Sequence, residues 1–148
     1  MKGIILAGGK GTRLYPITKA ISKQLLPVYN KPMIYYPINT LVEIGIEDIL
    51  IITTPEDLIY FKNLLINNDD FNLNFEFKIQ NKPNGIAEAF IIGEDFIQND
   101  DVCLILGDNL FFNSKAIHQK KLIKSSKIFV KEVKNPNRYG VLEIQNNE

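Results

Sequence analysis

Histidine and cysteine each occur once in the 148 residues, as His118 and Cys103, and neither sign of charge is in excess. A single cysteine excludes an internal disulfide. Its place in the apolar run Val102-Cys103-Leu104-Ile105-Leu106 makes it a buried, inert thiol by expectation. His118 stands in a lysine-rich stretch with no cysteine or carboxylate at a ligand spacing, so it reads as solvated rather than metal-bound. Seventeen Lys and Arg balance seventeen Asp and Glu, and no global field points to nucleic acid or to a membrane. The local exception is Lys115 to Lys134, with seven lysines and a lone Glu132, which reads as a solvated face. No apolar run approaches the length of a membrane helix. The apolar segment at the start, Ile4-Ile5-Leu6-Ala7, is too short for a signal peptide, so the cytoplasm is the expected compartment. There is no internal repeat and no linker. A chain of this length that is 45% apolar fits one domain spanning residues 1–148.

Two familiar nucleotide signatures are also missing. A P-loop needs Gly-x-x-x-x-Gly-Lys-Ser/Thr, and Thr12-Arg13 stands where Lys-Ser would be. The dinucleotide fingerprint is excluded by the spacing Gly8-Gly9-x-Gly11. What is present is a short apolar run that breaks into Gly8-Gly9-Lys10-Gly11-Thr12-Arg13, followed by Ser22-Lys23-Gln24-Leu25-Leu26-Pro27. Glycines let a backbone approach a ligand and turn its N–H groups toward anionic oxygens. Arg13 and Lys23 add positive charge where phosphate would sit. The loop is suited to a nucleoside triphosphate.

The pattern alternates strand and helix. Strands are expected at Gly3–Ala7, Asp48–Thr53, Phe75–Ile79 and Val102–Leu106. Helices are expected at Pro32–Ile44, with a kink or late start at Pro37, at Glu56–Ile66 and at Ile86–Ile97. Residues 8–30 form a long loop, and such loops in compact domains are usually functional. Residues 116–124 read as a short helix, and Ile128–Val133 and Val141–Ile144 as two strands around the turn Asn135-Pro136-Asn137. The order implies an α/β, Rossmann-like, mostly parallel sheet flanked by helices. Ligands in such sheets bind beyond the carboxyl ends of the strands, which brings Gly8 and Asp108 to one edge.

Leu6-Ala7-Gly8-Gly9-Lys10-Gly11-Thr12-Arg13-Leu14, with Pro16 and Thr18, resembles the signature of the sugar-1-phosphate nucleotidyltransferases. The similarity to their thymidylyl branch is carried by Ser22 to Val28, Lys31 to Pro37, Gln80 to Phe90, Leu106-Gly107-Asp108-Asn109 and Arg138-Tyr139-Gly140-Val141. The resemblance implies the nucleotide-diphospho-sugar transferase type of fold. It implies a Mg²⁺-dependent transfer of dTMP from dTTP to glucose 1-phosphate in deoxysugar biosynthesis of the dTDP-rhamnose type. It also implies homo-oligomers among full-length relatives, and no nucleic-acid or membrane partner. Enzymes of this kind are longer. Beyond Glu148 they carry a Glu-Lys-Pro segment for the sugar and an Asp that is a second metal ligand. The chain is thus expected to hold the nucleotide part of the site and only part of the sugar site. A catalytically dead remnant, a subunit needing a partner chain and a UTP-using uridylyltransferase stay open as alternatives.

In this reaction a phosphate oxygen of the sugar attacks the α-phosphorus in line and pyrophosphate leaves. The nucleophile is already an anion, so positioning and electrostatics dominate. The candidate catalytic residues are Arg13, to bind the leaving pyrophosphate, Lys23, to bridge the α-phosphate and the sugar phosphate, and Asp108, as the Mg²⁺ ligand at a strand end. The nucleotide-binding set is Leu6, Gly8, Gly9, Gly11, Thr12, Arg13, Lys23, Gln80 and Gly85, with Gln80 and the backbone at Gly85 assigned to the thymine edge by the resemblance. Asn109, Tyr139 and Gly140 are carried over as sugar contacts. Asn84 and Glu88 depart from the family, which has an acid and a Gln there.

Overall fold

The run Gly3-Ile4-Ile5-Leu6-Ala7 is apolar on both of its alternating faces, which suits a strand covered from two sides. In the computed structural model, which describes residues 1–66, 72–112 and 126–142, it is the core of β1 (Lys2–Ala7). A miniature antiparallel pair follows, β2 (Pro27–Val28) and β3 (Lys31–Pro32). Then come α1 (Tyr35–Glu43), β4 (Asp48–Thr53), α2 (Leu58–Leu65), β5 (Asn74–Ile79), α3 (Glu88–Ile92), α4 (Glu94–Ile97) and β6 (Val102–Leu106). The four longer strands form a parallel sheet in the order β5-β4-β1-β6, as the alternation of elements implied. Central β1 pairs on both sides, Ile5 lying opposite Ile51 of β4 and Ile105 of β6.

The strand period sorts the core into two layers. Ile5, Ala7, Ile49, Ile51 and Ile105 pack on one face with Ile38 and Leu41 of α1 and Phe61 and Leu65 of α2. Ile4, Leu50 and Ile52 pack on the other with Ala89 of α3 and Phe96 of α4. None of the helices described is long and apolar enough to cross a membrane.

The first helix begins late, at Tyr35, as Pro37 led to expect, so that Pro37 falls in its first turn, where a backbone N–H would have no intrahelical acceptor. Two departures from the sequence reading have local causes. The expected single helix Ile86–Ile97 starts at Glu88 and is divided at Gly93 into α3 and α4. An ideal Cβ on Gly93 would lie 2.9 Å from the Ala89 carbonyl, 3.1 Å from Ile4 Cδ1 and 3.2 Å from Leu50 Cδ2. The backbone breaks where it presses closest on the sheet. The expected strand Ile128–Val133 is not a strand: among the described residues it has no ladder partner, and Ile128, Phe129 and Val130 are exposed. Apolar residues alone do not make a strand without a partner to hydrogen-bond.

The Asn135-Pro136-Asn137 turn is present, as the 3₁₀ turn Pro136–Arg138. Val141 and Leu142 are exposed and unpaired with any described strand, and the rest of the expected Val141–Ile144 strand lies outside the described residues. So do His118 and the helix expected at 116–124.

Phe61 has no exposed surface, whereas Ile59 on the opposite side of α2 is 55% exposed. Phe61→Ala is expected to remove about 3–5 kcal/mol of stability, and Ile59→Ala about 0.5 kcal/mol or less. Urea unfolding of both variants checks the assignment of the inner face, and equal losses would refute it.

Candidate nucleotide site at the sheet switch point

From β1 the chain moves outward through β4 to β5, then returns across β1 to form β6 on the other side. The strand order reverses between β1 and β6, and a crevice opens there at their carboxyl ends. The loop after β1 carries Gly8 and Gly9, and the turn after β6 carries Gly107 and Asp108. The Gly107 N–H donates to the Leu6 carbonyl at 2.9 Å, which continues the β1–β6 pairing into this turn. The two loops are therefore fixed side by side.

A cavity of about 260 Å³ lies between them. Leu6, Gly8 and Gly9 line it from β1, and Leu106 and Asp108 from β6. Gln80 and Gly85 close it from the segment after β5, with Pro83 and Ile86. Gln24 completes the wall. Five residues of the expected nucleotide set thus share this lining: Leu6, Gly8, Gly9, Gln80 and Gly85.

Residues 8–34 contain three 3₁₀ turns, Thr12–Leu14, Ile17–Lys19 and Lys23–Leu25. Gly11 precedes the first with φ of 59°, a left-handed conformation costly for residues with a Cβ. Its carbonyl accepts from Thr18 Oγ1 at 2.7 Å. A Cβ there would stand 3.0 Å from Thr18 Cγ2 and 3.2 Å from Lys23 Cβ, so the loop is folded tightly on its own glycine. Thr12 and Arg13 are exposed on the first turn and are not part of the cavity lining.

The third turn delivers Lys23. Its Nζ lies 2.7 Å from Asp108 Oδ2, and both side chains are about one-third exposed, 29% and 36%. The pair joins the two loops at the cavity. Beside it Gln24 is buried, with its Oε1 accepting from Ser22 Oγ at 2.8 Å and its carbonyl accepting from the Ile34 N–H at 2.9 Å.

Asn109 is half-buried, and its N–H donates to the Leu106 carbonyl at 3.0 Å. Tyr139 and Gly140 are exposed and lie outside the cavity lining. Cys103 is half-buried rather than fully enclosed, and burial pushes its thiol up from the ordinary value, which keeps it protonated and unreactive. No group of three His, Cys, Asp or Glu side chains that could hold a metal occurs among the described residues. Asp108 offers one carboxylate.

Gln24, Leu106, Pro83, Ile86 and Glu88 are the residues that the site candidates did not include. Gln24 had a usable signal, a polar residue in the long loop after β1, flanked by Lys23 and Leu25. Glu88 accepts from Gln80 Nε2 at 2.6 Å through Oε2 and from Asn84 Nδ2 at 2.9 Å through Oε1. These amides, Asn84 foremost and then Gln80, hold its carboxyl below the ordinary glutamate range despite some opposing desolvation.

The sequence profile of the nucleotidyl transferase family matches residues 2–148. The glucose-1-phosphate thymidylyltransferase of Neisseria meningitidis is 54% identical over 99% of this chain and 52% of its own length. That of Mycolicibacterium smegmatis is 51% identical over 97% of the chain and 51% of its own length. The chain therefore spans about half the length of the curated relatives it matches. A Bacillus anthracis crystal structure named for the same enzyme, in complex with sucrose, superposes with a TM-score of 0.72 at 48% identity, covering 76% of this chain and 46% of that one. A UDP-glucose pyrophosphorylase complexed with UDP-glucose gives a TM-score of 0.65 at 30% identity, over 80% of this chain and 50% of that one.

The Glu88 arrangement sets a pH dependence. Because its carboxyl is lowered in the fold, its favourable contribution is complete above the unfolded value of about 4.3 and is lost as pH falls through the folded value. Carboxyl NMR should place the Glu88 midpoint below the ordinary glutamate range, and Asn84→Ala should raise it. A midpoint unmoved by Asn84→Ala would contradict the assigned network.

Proposed function

The chain belongs to the nucleotidyl transferase family, and from that premise we propose that it binds the dTTP of a glucose-1-phosphate thymidylyltransferase reaction. The whole reaction transfers dTMP from dTTP to glucose 1-phosphate and releases pyrophosphate. The observation that carries this reading is the Lys23–Asp108 pair at the switch-point cavity. It puts a compact cation and a hard oxygen ligand side by side, on the edge where a glycine-rich loop also ends. A triphosphate needs that combination: donors for its oxygens and an anchor for the cation it brings.

Glycine N–H groups at Gly8, Gly9 and Gly11 receive the phosphates. Arg13, exposed at the rim, forks onto the leaving pyrophosphate. Lys23 lies between the α-phosphate and the incoming sugar phosphate, held ready by Asp108. Gln80 and the Gly85 backbone read the base. Asn109, Tyr139 and Gly140 contribute to the sugar end. Asp108 suits Mg²⁺, which takes oxygen ligands, keeps several waters and needs only one or two carboxylates besides phosphate. When bound, the ion neutralises charge on the phosphates. The chemistry left to the protein is alignment of two polyanions, since the attacking oxygen already bears charge. The similarity to UDP-glucose pyrophosphorylase favours UTP as a second nucleotide for the same site, because uracil presents the same Watson–Crick edge as thymine.

Pyrophosphate release from dTTP, glucose 1-phosphate and Mg²⁺ tests turnover directly. Calorimetry with dTTP tests the site itself. Arg13→Ala is expected to weaken binding about tenfold or more, the magnitude of a charge-assisted phosphate contact, and ATP is expected to compete far less well than dTTP. Equal dTTP affinity in wild type and Arg13→Ala would remove Arg13 from the site, and equal competition by ATP would remove the pyrimidine preference.

A further inference from the structure

Gln80 is buried at the cavity wall, and a primary amide there can present either its carbonyl oxygen or its NH₂ to a ligand. The two faces read opposite base edges. An oxygen accepts from the N3–H of thymine or uracil. An NH₂ donates to the bare N3 of cytosine. Which face is presented depends on what holds the other.

We propose that Glu88 is a positioning residue that fixes the Gln80 amide with its oxygen toward the base, and so makes the site select pyrimidines that carry an N3–H. The inference rests on the reading of the cavity as a nucleotide site and deepens it. An ionised carboxylate only accepts hydrogen bonds. The Gln80 atom 2.6 Å from Glu88 Oε2 is therefore the nitrogen. The same nitrogen stands 3.5 Å from the Gly85 carbonyl, also an acceptor only. With Nε2 held on that side, Oε1 faces Gly8, at 3.1 Å from where a Cβ on that glycine would lie. Gly8 and Gln80 line the same cavity. Asn84 donates to the second Glu88 oxygen at 2.9 Å, so both carboxylate oxygens are engaged and the group cannot turn without losing a bond. Turning the amide over would set Oε1 against the Glu88 carboxylate, an acceptor facing an acceptor at short range. A cytosine at the site meets the same conflict on the other side, with its N3 against Oε1.

The experiment is calorimetric binding of dTTP and dCTP, each with Mg²⁺, to wild type, Glu88→Leu and Glu88→Gln. Wild type should prefer dTTP by roughly tenfold or more, as expected when a mismatched base leaves a buried polar group unpaired. Glu88→Leu frees the amide to turn and should bring the two nucleotides within about threefold, chiefly by improving dCTP. Glu88→Gln retains an acceptor for Nε2 and should keep most of the preference. The Gln80 side-chain NH₂ resonances give a readout without nucleotide, and should move strongly in Glu88→Leu and little in Glu88→Gln. Preserved dTTP preference with unmoved Gln80 resonances in Glu88→Leu overturns the role of Glu88 while leaving the nucleotide site intact. A wild type that binds neither nucleotide overturns the reading of the site, and this inference with it.

Discussion

The double pairing of β1 governs the rest of the molecule. Its residues hydrogen-bond to β4 on one side and β6 on the other in uninterrupted register, from Gly3 opposite Ile49 and Cys103 to Leu6 opposite Ile52 and Leu106. Because parallel strands end at the same edge, the pairing delivers the loop after Ala7 and the turn after Leu106 to one place. The Gly107 bond to Leu6 carries the register past the strand ends. A one-residue slip would invert both core layers together, taking Ile5 from beneath α1 and Ile4 from beneath α4. The position of Asp108 over the glycine loop is thus fixed by the burial of isoleucines several residues away.

On this frame the polar groups at the cavity contribute little to stability. Lys23 and Asp108 are each about one-third exposed, and pairs at such positions contribute about 0–1 kcal/mol. Against that small return, the pair holds a cation and a carboxylate where phosphate oxygens and their counter-ion would arrive. Lys23 is retained in place by a partner that an incoming anion can replace, so little reorganisation is needed on binding. Gln24 has the opposite character. It is buried and bonded through both its side chain and its backbone, and stiffens the loop so that Lys23 emerges at a defined point.

The sequence made the frame legible wherever burial leaves a strong period. Ile4-Ile5-Leu6, Ile49 to Ile52 and Val102 to Leu106 are apolar on both faces because both faces are covered, and each is a strand within a residue of the expected ends. Boundaries governed by one local clash were less legible. Gly93 divides a helix through the closeness of Ile4 and Leu50, residues remote in sequence whose proximity exists only after folding. Ile128 to Val133 shows the limit from the other side, since β-branched and aromatic residues there find no ladder partner among the described residues. Of the candidate site, the glycines, Lys23 and Asp108 could be picked out by residue type and spacing, and Gln80 only by the resemblance. The hydrogen bond from Gln80 to Glu88 could not, because Gln80 follows β5 and Glu88 opens α3, and only the turn between them closes the distance.

That bond also shows why departures from a family pattern are informative. A glutamine at position 88 would still offer its amide oxygen as an acceptor to Gln80 Nε2, but would hold that orientation less strictly, since its own amide can also turn. Glutamate offers acceptors alone and removes the choice. The change tightens an orientation rule, and the Asn84 and Gln80 amides hold the carboxyl below the ordinary glutamate range against a smaller opposing desolvation. A buried amide at a binding wall is specific only if its far side is committed. Here the commitment comes from a side chain that does not itself line the cavity, so on the proposed reading selectivity at this edge would be set one residue behind the surface the ligand would touch.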